Sequence, residues 1–348
     1  MHFSALDPQF TLEFFNLTDQ AQSIAITGHK SPDEDSIAST LSVYNLLKDK
    51  YPEKKITPAC PGKPELRFKP FKNFQDIQFV PEMTDIIKDI DLLIMVDGSQ
   101  FGRFSENPDL LKSLSKKTIC IDHHSSPIDS FDLSLVIPTF SSNSELIYRT
   151  LFEETHIDKE TAEVFLLGIL GDTGNFTYLK PYQTDTLLTA KTLMNIAQVE
   201  IQEFQSRYRS ISKQAFAIIQ ELIKNTQYKE IKGWPAFQIS YLSKDFFITN
   251  KLEDNEVSES SHIYTSHYLR IITGYPWGFI ITPRSNGQFN ISLRSLPKCV
   301  SVRIMMEDMG KGGGHDRAAG GTFKDKASSE ECITEIIAWT KDHQPVIN

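Results

Sequence analysis

Along the first half of this chain, short apolar runs alternate with helical patterns, the order expected of a parallel α/β sheet. SIAITGH (23–29) has the length and composition of a strand. After it, Ile37, Leu41, Tyr44 and Leu47 recur on one face of a helix expected over 35–50. KITPAC (55–60), DLLIMVDGS (91–99) and TICIDHH (118–124) are the next strand-like runs. SNSE (142–145) has the form of a capping box and opens a helix toward Leu151. The apolar stretch 160–171, ETAEVFLLGILG, predicts a buried helix that delivers Asp172. From about 183 to 225 the pattern is helical, with Leu187, Leu188, Ala190 and Leu193, then Phe216, Ile219 and Leu222. Beyond it the character changes to YKEIKGWPAFQISYL and WGFIITPRSNGQFNISLRS, in which RSNGQ supplies the turn residues of a hairpin. The expected architecture is α/β. A parallel-sheet domain occupies 1–190, a helical linker 191–215, and a smaller α/β domain 216–348.

Composition narrows the class without naming a function. The chain has 348 residues, 40% hydrophobic and 23% charged, enough for two globular domains. No run approaches the roughly 18–20 apolar residues of a membrane span, and the N-terminal residues lack the pattern of a secretory signal. Four cysteines, Cys60, Cys120, Cys299 and Cys332, lie far apart with no C-x-x-C spacing, which suits reduced thiols and a cytoplasmic location. A net charge of −9 argues against broad binding to duplex DNA but leaves room for a local basic pocket.

The candidate chemistry lies where the apolar runs end. GHKSPDEDS offers His29, Asp33 and Asp35; MVDGS offers Asp97; IDHH offers Asp122, His123 and His124; GDTG offers Asp172. Taken singly, these residues have plainer roles: Asp33 and Asp35 as helix caps, Asp97 and Asp172 as turn residues beside glycine, and the paired histidines as a turn or an acid/base couple. Their coincidence at one predicted sheet edge argues otherwise, because ligands collect at the carboxyl ends of parallel strands. Several carboxylates and imidazoles packed together need cations to neutralise them. Oxygen and nitrogen ligands without thiolate suit Mn²⁺ or Mg²⁺, with Zn²⁺, Co²⁺ or Fe²⁺ as substitutes. Two such ions about 3.5–4 Å apart would clamp a phosphate ester and activate a water.

These motifs resemble the DHH phosphoesterase superfamily. HKSPDED is similar to its H-x-x-x-D-x-D first motif, Asp97 to its second-motif aspartate, DHH to the motif that names it, and Asp172 to its fourth. GGGHDRAAG (312–320), with ISLRS (291–295) upstream, resembles the glycine-rich signature of the DHHA1 domain. The compact two-domain form is closest to the bacterial oligoribonuclease (nanoRNase) and 3′-phosphoadenosine-5′-phosphate (pAp) phosphatase group. The resemblance implies two divalent cations, Mn²⁺ first, with His29 and Asp33 on one, Asp35 and His123 on the other, and Asp97 and Asp172 contacting both or lying between them. It implies that His124 meets the substrate phosphate, that Asp122 orients the histidines, and that Arg103, Arg294, Gly312, Gly313, Gly314 and His315 bind substrate. Three glycines let N–H groups approach an anion, and residues 284–326 carry eight Lys/Arg against four Asp/Glu.

The implied substrates are short single-stranded oligonucleotides or nucleotides, with linear or cyclic dinucleotides as the alternative and a homodimer allowed. Departures from the family pattern are Glu34, where glycine is common, and Lys311, where some relatives have a fourth glycine; both bear on substrate preference rather than on a ligand. RecJ-type exonucleases are usually longer. A silent nucleotide sensor would have lost ligands that are all present here. A dinucleotide-cofactor protein would carry G-x-G-x-x-G after the first strand, which is absent.

Overall fold

The computed structural model describes residues 6–152, 157–209 and 211–347. The chain divides into two units, Met1–Ser210 and Ile211–Asn348.

The first unit contains α1 (Pro8–Gln20), β1 (Ser23–Thr27), α2 (Glu34–Lys50), β2 (Lys55–Pro61), β3 (Gln78–Val80), β4 (Leu92–Val96), α3 (Pro108–Leu114), β5 (Thr118–Asp122), β6 (Leu133–Val136), α4 (Asn143–Ile147), α5 (Lys159–Asp172), α6 (Asp185–Ala197) and α7 (Ile201–Ser206). Its six strands are all parallel, in the order β3-β2-β1-β4-β5-β6. In this doubly wound order the connections leave β1 and β4 in opposite directions, so a crevice opens between the carboxyl ends of those two strands. Strand β4 shows why its sequence reads as an unbroken apolar run. Leu92, Ile94 and Val96 enter the core beneath α2 and α5, while Leu93 and Met95 enter a second core with Phe101, Phe104 and Leu111 on the other face. A strand covered on both sides has no polar face to alternate with.

The strand-like runs at 23–29, 55–60, 91–99 and 118–124 are β1, β2, β4 and β5, and the apolar stretch 160–171 is helical. Residues 191–215 do not stand apart as a linker. They hold the end of α6 and all of α7, and Leu193, Ala197, Phe204 and Tyr208 are buried in the first core. The helical period there reports an apolar face, and that face is packed rather than exposed. Ser210, within the same stretch, lies outside the described residues.

The second, smaller unit contains α8 (Lys213–Lys224), β7 (Gln227–Lys229), β8 (Phe237–Tyr241), α9 (Lys244–Thr249), α10 (Asp254–His267), β9 (Trp277–Pro283), β10 (Phe289–Ser295), α11 (Val302–Asp308), β11 (Gly312–His315), β12 (Ala318–Phe323) and α12 (Ser329–Asp342). Its sheet runs β11-β12-β10-β9-β8-β7 and is mixed, since β8 and β9 are parallel and the other pairs antiparallel. Phe279 and Ile281 of β9 join a core with Trp277, Phe237 and Met306, whereas Ile280 turns to the opposite face against α8 and α10. RSNGQ is the β9–β10 turn, closed by Arg284 N–H to Gln288 O (2.9 Å) and Gly287 N–H to Arg284 O (3.0 Å). Among the described residues no helix is long and apolar enough to cross a membrane.

Candidate metal centre

Strand β1 ends at Thr27 and hands over Gly28 and His29. A Cβ on residue 28 would collide with Ser36 Oγ, so glycine lets the strand end meet the first turn of α2. His29 N–H donates to the same Ser36 Oγ at 3.0 Å, and its Nδ1 lies 2.8 Å from Lys30 O. A proton on Nδ1, donated to that carbonyl, leaves the Nε2 lone pair to face the site. Nε2 is 3.7 Å from Asp33 Oδ2 and 3.4 Å from Asp97 Oδ2.

Asp33 keeps its capping role and faces the cluster as well. Its Oδ1 accepts from the N–H groups of Asp35 (3.1 Å) and Ser36 (3.0 Å), and its Oδ2 turns to His29. Asp35, one residue into α2, is buried and does not cap its own helix. Its carboxylate receives two N–H groups from the start of α4, Asn143 to Oδ2 at 2.6 Å and Ser144 to Oδ1 at 2.9 Å. Asp35 therefore sits between two helix N-termini, where backbone dipoles favour a negative charge.

Asp97 follows β4 with φ of 63°, an uncommon left-handed conformation for aspartate. Its N–H still continues the ladder to Ile121 O at 3.0 Å, so the backbone turns sharply only after the last strand bond. One carboxylate oxygen faces His29 and the other lies 3.6 Å from His123 Nε2 and 3.7 Å from His124 Nδ1. The paired histidines do different things. His124 Nδ1 contacts Asp122 Oδ1 at 2.7 Å, and its own N–H donates to the same oxygen at 3.1 Å. His123 has its Nδ1 3.4 Å from Phe140 O, and its Nε2 is 3.0 Å from Asp172 Oδ2 and 3.7 Å from Asp35 Oδ2. Asp122 thus orients one histidine, not both. Asp172 is the last residue of α5; Gly174, Asn175 and Phe176 all follow with positive φ and turn the chain away from it.

Three overlapping groups result: His29–Asp33–Asp97, Asp35–His123–Asp172 and Asp97–His123–His124, with the ligand atoms of each within 4.8 Å of one another. The first two groups each have the spacing of a cation site, with metal–ligand bonds of about 2.0–2.6 Å, whereas His124 Nδ1 in the third is engaged by Asp122. His123 Nε2 is buried with no hydrogen bond although three carboxylates surround it, the condition a cation would satisfy. All four cysteines are buried and absent from these groups. Asp172 stands with Asp35 and His123 rather than between the two outer groups.

Charge and burial pull against each other throughout. Burial disfavours the His29 imidazolium, but the carboxylates of Asp33 and Asp97 outweigh it and push its pKa up to about 10. Burial likewise opposes charge on His123, and Asp172, Asp35 and Asp97 raise its pKa well above the ordinary value. Burial raises Asp35, and the negative charges of Asp97 and Asp172 add to the effect. Asp122 shows the reverse balance, since the hydrogen bond from His124 lowers it despite its burial. Without cations the centre retains protons that cations would displace.

The remaining residues anticipated from the sequence are not members of these three groups. Arg103, in a short 3₁₀ turn after β4, is exposed, and its carbonyl accepts from Lys30 N–H at 2.7 Å, tying the loops that follow β1 and β4. In the second unit Arg294 lies on β10, and Gly312, Gly313, Gly314 and His315 form β11, an edge strand paired with β12 rather than an open loop. Sequence reasoning missed the Asn143 and Ser144 N–H groups and also Gly168. A Cβ at 168 would collide with Ser144 Oγ and lie 2.6 Å from Asp35 Oδ1. The available signal was a glycine inside an otherwise apolar helical run.

Comparison with known proteins matches residues 23–169 to the DHH family, N-terminal domain, and residues 244–342 to the DHHA1 domain. The chain is 26% identical over 322 residues to a probable bifunctional oligoribonuclease and PAP phosphatase, NrnA, of Streptococcus mutans, covering 90% of this chain and 94% of that protein. It is 23% identical over 344 residues to the cyclic-di-AMP phosphodiesterase GdpP of Geobacillus thermodenitrificans, covering 92% of this chain and 48% of that longer protein. Its fold is similar to the crystal structure of an exopolyphosphatase-related protein from Bacteroides fragilis, with a TM-score of 0.82 at 22% identity over 98% of both chains.

Three outcomes follow from this packing and charge. Gly168→Ala should force Ser144 and Asp35 apart and weaken Mn²⁺ binding by an order of magnitude or more in calorimetric titration, while circular dichroism still reports a folded chain. Because the folded His29 pKa of about 10 exceeds its ordinary value of 6.5, its stabilisation of the metal-free protein is complete below pH 6.5 and lost as pH rises through about 10. Metal-free protein should therefore lose thermal stability over that window. Mn²⁺ should bind more tightly as pH rises, releasing protons detectable from titrations in buffers of different ionisation heat.

Proposed function

Because this chain unites a DHH family N-terminal domain with a DHHA1 domain, we propose that it is a divalent-metal-dependent phosphoesterase acting on short single-stranded oligonucleotides and pAp. The observation that carries the reading is Asp97. One carboxylate at the switch point of a doubly wound sheet faces His29 with one oxygen and His123 with the other, as a ligand shared by two cations would. In this reading His29 and Asp33 would hold one cation and Asp35, His123 and Asp172 the other, with Asp97 within reach of both groups. The oxygen-rich, thiolate-free set favours Mn²⁺. When bound, the cations supply charge neutralisation at a phosphoryl oxygen and acidify a water that serves as nucleophile.

The chain's own residues supply the remaining roles. With its Nδ1 proton held by Asp122, His124 presents Nε2 to the substrate. In its cationic form that nitrogen donates a proton to the leaving ribose oxygen as the P–O bond breaks. The exposed guanidinium of Arg103 and, in the DHHA1 domain, Arg294, His315 and the backbone of Gly312, Gly313 and Gly314 contribute donors to phosphate. The oligoribonuclease and PAP phosphatase relative, matched along nearly its whole length, supports this substrate class. The similarity to a cyclic-di-AMP phosphodiesterase makes linear or cyclic dinucleotides the second reading.

The test is a substrate panel of pAp, pApA, pGpG, cyclic di-AMP, RNAs of two to five residues, longer single-stranded DNA and pyrophosphate, each with Mn²⁺ and Mg²⁺. Expected are mononucleotide from short RNA and phosphate from pAp, with Asp97→Ala losing several orders of magnitude in turnover. No turnover of either substrate by metal-loaded protein would overturn the proposal. His123→Ala should lose bound metal by elemental analysis, whereas His124→Ala should retain it and slow turnover. Equal metal loss in both would refute the division between the histidines.

A further inference from the structure

One stretch of chain, residues 172–183, reaches both ring nitrogens of His123. At its start Asp172 closes α5, and its Oδ2 lies 3.0 Å from His123 Nε2. At its end Gln183 closes a 3₁₀ turn (Pro181–Gln183), and its Nε2 donates to Phe140 O at 3.1 Å. Phe140 O is also the carbonyl that faces His123 Nδ1, at 3.4 Å. A carbonyl oxygen has two lone pairs and can accept both N–H groups.

The other end of the Gln183 amide sets its orientation. Lys180 N–H donates to Oε1 at 3.0 Å, and a backbone N–H can only donate, so Nε2 is the atom left for Phe140. Helix α6 then fixes the same segment a second time. Thr186 Oγ1 and Thr189 Oγ1 donate to the buried carboxylate of Glu145 at 2.7 and 3.3 Å. Residues 140–145 are therefore fastened at one end through Gln183 and at the other through Glu145. Between these two fastenings lie the Asn143 and Ser144 N–H groups that hold Asp35. A single clamped segment thus places two members of one candidate cation group.

The plainer role of Gln183 is to cap its own 3₁₀ turn, and that role uses only the acceptor Oε1. The donor Nε2 has a separate effect. A histidine that binds metal through one nitrogen commonly gives its other N–H to a carbonyl, which fixes the ring. Here that contact is long, so the placement of the Phe140 carbonyl decides whether the ring keeps Nε2 among the carboxylates.

We propose that Gln183 is a positioning residue for the Asp35–His123–Asp172 group. Its amide N–H holds the Phe140 carbonyl that orients His123, so cation affinity at this group depends on Gln183 and affinity at the His29–Asp33–Asp97 group does not. The inference deepens the proposed function and rests on its assignment of His123 to a cation.

The experiment separates the two ends of the amide. Gln183→Glu keeps an acceptor for Lys180 N–H and loses the donor to Phe140 O, whereas Gln183→Met loses both. In calorimetric titration of the metal-free full chain with Mn²⁺, both variants should weaken one of two binding steps by about 10–100-fold and leave the other unchanged. At a Mn²⁺ concentration that fills both groups of wild type, electron paramagnetic resonance should show paired ions there and isolated ions in the variants. In metal-free wild type the His123 Nδ1–H should give a protected ring signal in ¹⁵N NMR, broadened or lost in Gln183→Glu. The proposal is overturned by a Gln183→Glu titration that matches wild type, by equal weakening of both steps, or by a ring signal that is absent from wild type or retained in Gln183→Glu. If wild type binds fewer than two Mn²⁺ ions, the cation assignment of the proposed function fails, and the ring signal still decides whether Gln183 orients His123.

Discussion

Asp35 is the carboxylate around which the first unit is assembled. It belongs to α2, receives N–H groups from the start of α4, and is so close to α5 that only glycine is accommodated at 168. Three helices therefore meet at one buried carboxyl group, and their positions bring His123 and Asp172 beside it. A buried carboxylate is costly unless it is solvated by fixed donors, and here two backbone N–H groups supply that solvation. They do not offset the repulsion from Asp97 and Asp172, which still drives Asp35 toward its protonated form. The fold thus holds the acids together at a cost in stability that bound cations would remove.

The doubly wound strand order explains how residues far apart in the chain converge. Because β1 and β4 are neighbours, the residues following them, His29 and Asp97, meet across the switch point, and β5 brings the paired histidines alongside. The segments after β1, β4 and β5 begin where each strand's hydrogen-bond ladder ends, while Asp172 arrives from the end of α5. The scaffold is rigid up to that point and the side chains project just beyond it, the arrangement that precise ligation requires.

This explains what could be read from the sequence and what could not. A strand covered on both faces appears as an unbroken apolar run, so β1, β4 and β5 were legible, and so was the polar residue that closes each of them. The groups that hold those residues in place were not. Asn143 and Ser144 act through backbone N–H groups, which leave no trace in residue identity, and the SNSE pattern marked a helix start without showing which anion it faces. Its glutamate also behaves differently from a capping-box partner: Glu145 accepts from Ser141 and Thr186 at 2.9 and 2.7 Å. Helix α7 was expected in a linker because its pattern shows an apolar face but not what covers it. Glycine is rare in strands, so GGGH carries no strand signal, yet at an edge its missing Cβ atoms allow β11 and β12 to approach closely, and a Cβ on Gly312 would collide with Gly320 O.

The two departures from the family pattern can be understood from their partners. Glu34 adds a carboxylate between two candidate ligands, where further negative charge would deepen the repulsion. Its side chain is instead paired with Arg67 Nη1 at 2.5 Å, and that guanidinium is shared with Glu65 and lies 4.2 Å from the Phe68 ring centroid. The Glu34 stem lies where a Cβ on Gly171 would be, so the glutamate also fills the contact between α2 and α5 next to Asp172. Lys311 places its ammonium 3.1 Å from Glu335 and 4.9 Å from the centre of the Phe323 ring. Each substitution brings a charge into a conserved-looking motif and turns it toward a local partner of opposite sign. The extra charges are therefore largely neutralised where they stand, and they add no uncompensated carboxylate to the cluster of candidate ligands.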